Sequence, residues 1–150
     1  MQAFRLVKAK HAIEAFNGEG ARRYGGRWNT PGIAMVYAAQ SRALAAMETL
    51  IHTAGADRRL AYVMYEIEIP EKLVQTISHK DLPPDWRSLT PPLSVQAIGS
   101  AWQQSQQSAA LLVPSVLVGE ECCVLLNPMH PDTAHISINY PVPFEFDSRP

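Results

Sequence analysis

A mixed α/β or α+β domain is what this sequence predicts, with one sheet of roughly five or six strands and at least two packed helices. Three observations predict it. Apolar runs of strand length recur along the chain, and those over residues 61–69 and 136–146 alternate. Segments 42–53 and 93–108 instead carry apolar residues at helical spacing. The length, 150 residues, fits one core, so residues 1–150 are read as one domain.

The elements follow in order. Residues 2–8 read as a short strand. Residues 9–31 read as a long polar loop, with one candidate helical turn from His11 to Phe16. Loops this long inside compact domains usually carry function. Ile33 to Ala38 is a continuous apolar run, as expected of a strand buried on both faces. Ser41 is a good N-cap for a helix over 42–53, whose Leu44, Met47 and Ile51 share a stripe. Over residues 61–69, Val63, Tyr65, Ile67 and Ile69 alternate with Met64, Glu66 and Glu68. That pattern is a half-buried strand, stopped by Pro70, with Glu66 and Glu68 solvated. Residues 71–92, with Pro83, Pro84, Pro91 and Pro92, read as an irregular surface excursion.

Residues 93–108 read as a helix with Val95, Ile98 and Trp102 on one stripe. Leu111 to Val118 is an apolar strand interrupted at Pro114-Ser115, and Val124 to Leu126 is another, ended by Asn127-Pro128. The run Ile136, Ile138, Tyr140, Val142, Phe144, Phe146 reads as a long strand. It belongs at an edge, because Pro141 and Pro143 cannot donate to a ladder.

Composition narrows the class. Apolar residues make up 47% and charged residues 18%, which is globular and not disordered. The net charge of −1 excludes a bulk basic field for duplex nucleic acid or an anionic membrane. No apolar run approaches the ~20 residues of a membrane span, and Met1 to Arg5 lacks a signal-peptide apolar region. The two cysteines, Cys122 and Cys123, are adjacent. In a strand they point to opposite faces, so a bond between them would be strained. A reducing cytoplasm is the expected compartment. His11, His52, His79, His130 and His135 show no metal-ligand spacing, and no metal is expected.

The stretch from Gly18 to Asn29 is the most distinctive. Its glycines and arginines bring backbone N–H groups and guanidinium forks together, which suits phosphate oxygens. Within it, Gly25-Gly26 lets the backbone approach a ligand beside Arg27. Arg27 is either a solvated turn residue or a bidentate phosphate clamp. Glu48 lies four residues after Leu44 and three before Ile51, on the apolar stripe of its helix. It is either a boundary residue paired with an arginine or a carboxylate tuned at a cleft. Tyr37 ends a buried strand, and is either a core tyrosine or a ring and hydroxyl reaching a cleft. Ser115 follows a proline that marks a bulge, which can aim its hydroxyl. It lacks the G-x-S-x-G turn of a hydrolase nucleophile. His130, in the turn Asn127-Pro128-Met129-His130-Pro131, is either structural or a ligand contact.

Taken in order, these segments resemble the RES-domain toxins of bacterial type II toxin–antitoxin modules. The resemblance spans nearly the whole chain: Phe4-Arg5-Leu6, the Gly18–Asn29 block, Val36-Tyr37-Ala38, Ala45-Ala46-Met47-Glu48, Val113-Pro114-Ser115 and Leu126 to Pro131. One departure is visible: Cys123 stands where the family often has Asn in a Glu-x-Asn-x-Leu-x-Asn-Pro segment. The resemblance implies an ADP-ribosyltransferase-like fold and an activity that depletes NAD, its substrate, by cleaving the nicotinamide–ribose bond with water or phosphate as acceptor. It further implies a cognate helix-turn-helix antitoxin that blocks the active site. In that setting Glu48 and Arg27 are the expected catalytic residues. Arg5, Arg27, Tyr37, Ser115 and Asn127 are the expected NAD-binding set. Glu48 would stabilise the ribosyl cation, Arg27 and Arg5 would hold the pyrophosphate, and Ser115 would bind ligand or fix the Glu48 rotamer. Two other functions are consistent with the same residues. One is ADP-ribosyl transfer to a protein; the other is a non-catalytic module whose basic loop holds a nucleotide or RNA.

Overall fold

The chain folds around one eight-stranded sheet in the computed structural model, which describes residues 1–53, 55–147 and 149. In order, it forms β1 (Gln2–Lys8), α1 (Glu19–Tyr24), β2 (Val36–Ala39), α2 (Arg42–Ile51), β3 (Tyr62–Glu68) and β4 (Val74–Thr76). Then come α3 (Leu93–Ser105), β5 (Ala110–Pro114), β6 (Cys122–Leu126), β7 (Ser137–Ile138) and β8 (Val142–Phe144). The strand order is β4-β5-β6-β2-β1-β3-β7, and β8 also pairs with β3. Only β4 and β5 run parallel; the other pairs are antiparallel. No helix among the described residues is long and apolar enough to cross a membrane.

Register sorts the side chains onto two faces. Partners directly opposite share a face, and sequence neighbours do not. Pairing Phe4 with Ala39, Tyr37 with Leu125, Ala39 with Cys123 and Val113 with Cys123 puts Phe4, Tyr37, Ala39, Val113, Cys123 and Leu125 together. On this face α2 covers Phe4, Leu6 and Met64 through Leu44 and Ala45. The same face at β5 and β6 packs Leu111, Val113 and Leu125 against Val95 and Trp102 of α3 and against Trp28. The opposite face carries Ala3, Val36, Ala38, Ile67, Val124 and Leu126. Each fully buried Leu or Ile contributes about 1.5–3 kcal/mol relative to exposure, so both layers stabilise the sheet.

The helices begin where their caps say they should. Ser41 Oγ accepts from Leu44 N at 3.0 Å and starts α2. Val95 and Trp102 of α3 are buried as a stripe, and Ile98 is half-buried beside them. The phase of α2 differs from its apolar pattern. Met47 is 47% and Ile51 62% exposed, while Leu44 and Ala45 are buried and Glu48 is half-buried. The helix turns its small and acidic side inward because hydrogen-bond donors for Glu48 lie there.

The strand count exceeds the five or six expected, for two reasons. The proline-rich segment contributes β4, which pairs Val74 with Ala110 and Thr76 with Leu112. The C-terminal run breaks into β7 and β8, which occupy successive stretches of the same β3 edge. The long polar loop also holds more structure than one turn: a 3-10 segment over Ala9–Glu14 and the helix α1. Strand β3 is buried on both faces, since Tyr62, Met64, Tyr65 and Ile67 are all buried. Glu66 is not simply solvated: it accepts from Gln2 Nε2 at 2.6 Å and Arg42 Nη2 at 3.0 Å. The strand predicted to reach Val118 stops at Pro114, where Ser115 Oγ caps Leu117 N and Val118 N and turns the chain.

Candidate active site

Of the expected residues, Glu48 and Ser115 meet directly, and Arg27 lies within electrostatic reach of Glu48 and Tyr37. Helix α2 carries Glu48 toward the ends of β5 and β6. There Glu48 Oε1 accepts from Ser115 Oγ at 2.9 Å and from Cys123 Sγ at 3.2 Å. Ser115 is buried, and its hydroxyl oxygen also accepts from Leu117 N and Val118 N at 3.1 Å each. Those two N–H groups occupy its lone pairs, so its proton is directed at Glu48. Burial, then the Glu48 carboxylate, pushes the Cys123 thiol well above the ordinary thiol range. It stays protonated and acts as a donor.

The opposite side is built from the glycine–arginine loop. Tyr37 O–H donates to Asn29 Oδ1 at 2.6 Å and accepts from Trp28 N at 3.0 Å. Asn29 is fully buried, and its amide is shared among the carbonyls of Ala21, Thr30 and Ile33 at 2.9–3.1 Å. The Tyr37 hydroxyl is packed so closely on Gly26 that a Cβ there would lie 2.6 Å from it. That close approach is why the loop needs glycine at this point. Burial raises the Tyr37 phenol beyond the ordinary tyrosine range, so it stays neutral and keeps both hydrogen bonds.

Arg27 sits at the mouth of this loop. Nη1 donates to Trp86 O at 3.0 Å and Nη2 to Leu89 O at 3.3 Å. Burial lowers its guanidinium somewhat, and the nearby Glu48 carboxylate opposes that. Arg27 and Glu48 are therefore within electrostatic reach of one another. The proline-rich segment expected to be a mere surface excursion is what holds Arg27. It also reaches the other side, where Arg87 Nη2 donates to Val116 O at 2.8 Å.

Two expected residues lie elsewhere. Arg5 follows Phe4, so its side chain emerges on the opposite sheet face from Tyr37 and Cys123. Its Nε donates to Ala15 O and its Nη1 to Tyr37 O, each at 2.7 Å. Burial pushes it down to about 10, still charged at neutral pH. Arg5 ties β1 to β2 and is not in the cleft. Asn127 is fully buried beyond the far end of β6. Its Nδ2 donates to Gln103 O and its Oδ1 accepts from Met129 N, both at 2.9 Å. Its amide organises the turn after β6.

Sequence reasoning missed Asn29 as the hub of the loop, and Trp86 and Leu89 as the grip on Arg27. A tryptophan inside a proline-rich segment was the available signal, since an indole that size is usually buried against something. Cys123 was visible only as a departure from a family pattern; the thiol still supplies a polar contact. A separate open groove of about 550 Å³ lies between β4 and α3, lined by Gln75, Ile98, Trp102 and Leu111 among others. It contains no titratable side chain. Among the described residues no three His, Cys, Asp or Glu side chains are grouped to hold a metal ion.

The fold defined by this sheet is shared with a solved structure. A chain in the crystal structure of the M. tuberculosis MbcT–MbcA toxin–antitoxin complex superposes with a TM-score of 0.78. The match covers 96% of this chain and 84% of that one at 22% identity, which establishes likeness of fold. The chain belongs to the RES-domain family, whose model matches residues 2–147. It is 37% identical over 150 residues to Toxin Res of Yersinia enterocolitica, covering 99% of each chain. It is 40% identical over 151 residues to the Prs ADP-ribosylating toxin of a Sphingobium species, covering 97% of this chain and 94% of that one.

Proposed function

We propose that this chain is the toxin of a toxin–antitoxin pair and that it acts in the cytoplasm by cleaving the nicotinamide–ribose bond of NAD. The observation that carries the reading is the Glu48 carboxylate, fixed by two side-chain donors and within electrostatic reach of Arg27. Nicotinamide departs as a neutral pyridine, so no general acid is required. The barrier lies in the positive charge that develops on the ribose. A carboxylate held in place stabilises that charge without reorganising, and is positioned to orient an attacking water or phosphate. Arg27 engages two N–H groups with Trp86 and Leu89 and keeps the others for the pyrophosphate. Tyr37 fixes the loop through its hydroxyl and offers its ring to the nicotinamide ribose. Ser115 acts through Glu48.

The partner in this reading is an antitoxin with a helix-turn-helix domain that covers the cleft. The toxin–antitoxin complex that shares the fold supports a protein partner. Transfer of ADP-ribose to a protein is the second reading, favoured by the name of the Sphingobium relative. Both readings use Glu48 alike and differ only in acceptor.

The test is NAD consumption by the purified chain and by Glu48→Ala at matched concentration. Loss of a preorganised charge should lower the rate about 10²–10³-fold while thermal unfolding stays cooperative. Isotope-labelled NAD separates the acceptors. Free ADP-ribose or its phosphorylated form supports cleavage, and label fixed to a protein supports transfer. Equal NAD loss by both chains removes Glu48 from the mechanism. Ligand binding without any turnover points instead to a binding module.

A further inference from the structure

We propose that Cys123 is a positioning residue for Glu48: together with Ser115 it commits Oε1 to the protein and leaves Oε2 as the oxygen that meets the substrate. The proposal rests on Glu48 being the reacting carboxylate.

Both donors converge on a single oxygen, Ser115 Oγ at 2.9 Å and Cys123 Sγ at 3.2 Å. Among the described residues nothing hydrogen-bonds to Oε2. The donors come from separate elements, one just past β5 and the other in β6, and the two strands are locked by the pairing of Val113 with Cys123. The terminal torsion of a free glutamate is broad, so the plane of its carboxylate can turn through a wide range. Two donors on Oε1 remove that freedom and aim Oε2. Aim matters because a reacting group held in a productive orientation has its entropy cost already met.

A thiol is a weak donor in water. Here it is sheltered behind α2 and kept as S–H by burial and by the neighbouring carboxylate. A deprotonated sulfur at this distance would repel Glu48 instead of holding it. The thiol therefore serves as the second donor to Oε1.

The test uses the full chain in a Cys122→Ser background, so that Cys123 gives the only S–H stretching band. That infrared band should lie at lower frequency with Glu48 present than in Glu48→Ala. In NAD turnover, Cys123→Ala should lower kcat about fivefold, the scale of one weak charge-assisted hydrogen bond, with little change in KM. Cys123→Ser, which restores a donor, should recover most of the loss. Equal losses in the Ala and Ser variants, or an effect on KM alone, would overturn the positioning role. An unshifted band in a chain that consumes NAD overturns the proposal and leaves the function standing. A shifted band in a chain that leaves NAD intact refutes the function and the substrate-facing half of the proposal; the anchored Oε1 then remains as a purely structural contact.

Discussion

The candidate site has two walls of different construction. The Glu48 wall is made of regular elements, α2 and the ends of β5 and β6, joined by side-chain contacts onto one oxygen. The Arg27 wall is a glycine-rich loop held by main-chain carbonyls, by a buried asparagine and by close packing. The first is vulnerable to the loss of a single donor atom. The second is vulnerable to added volume and indifferent to many side-chain identities. A charged group that must present one oxygen is held by point contacts, while one that must present a fork is held by its surroundings.

The largest predicted effect breaks the loop wall by volume alone. A Cβ on Gly99 of α3 would lie 1.8 Å from the Trp28 carbonyl oxygen, so helix and loop interlock there. Overpacking typically costs about 1–3 kcal/mol, and backbone against backbone belongs at or above the top of that range. Gly99→Ala should therefore destabilise by about 3 kcal/mol or more in denaturant titration, and the folded fraction should show a raised KM for NAD. A variant as stable as the parent would show that the two are not interlocked.

Tyr37 joins the walls, with its ring on the sheet and its hydroxyl in the loop. Tyr37→Phe leaves Asn29 Oδ1 and Trp28 N without their partner, a cost of about 1–2 kcal/mol. Its pH dependence sharpens the point. The phenol is raised in the folded chain, chiefly by burial. The unfolded chain thus releases this proton first, and the associated stability is complete below the ordinary tyrosine range and lost above it. The advantage of the parent over Tyr37→Phe should hold constant below about pH 9 and shrink above about pH 10. Parallel melts across that range check it. The smallest effect falls on the Glu48 wall. Ser41→Ala removes the cap of α2 and should cost about 1 kcal/mol in thermal unfolding. The rate should hardly change, because Ser115 and Cys123 fix the carboxylate further along the helix.

Local rules read well from the sequence. The Ser41 cap, the Val95 and Trp102 stripe and the edge placement of the proline-bearing C-terminal run depend on neighbours a few residues away. Helical spacing also turned Glu48 inward, although it assigned Met47 and Ile51 to the same side. The helix phase followed the donors on Ser115 and Cys123, which are 67 and 75 residues distant in sequence. Family resemblance pointed to Ser115 beside Glu48 and to Arg27 near it, which spacing alone does not give. At Arg5 the sequence shows the charge but not the Ala15 and Tyr37 carbonyls that the side chain meets. The partners of Asn127 on Gln103 and Met129 are hidden in the same way. The strap around Trp86 escaped because prolines mark irregular backbone without telling what that backbone touches.

That strap grips Arg27 only through carbonyl oxygens, and Leu89, one of the two residues involved, leaves its side chain 96% exposed. A carbonyl is the same in every residue type. At Leu89 the rim can thus exchange its side chain over generations while its hold on the arginine persists, so that what this position displays and what it does are inherited separately.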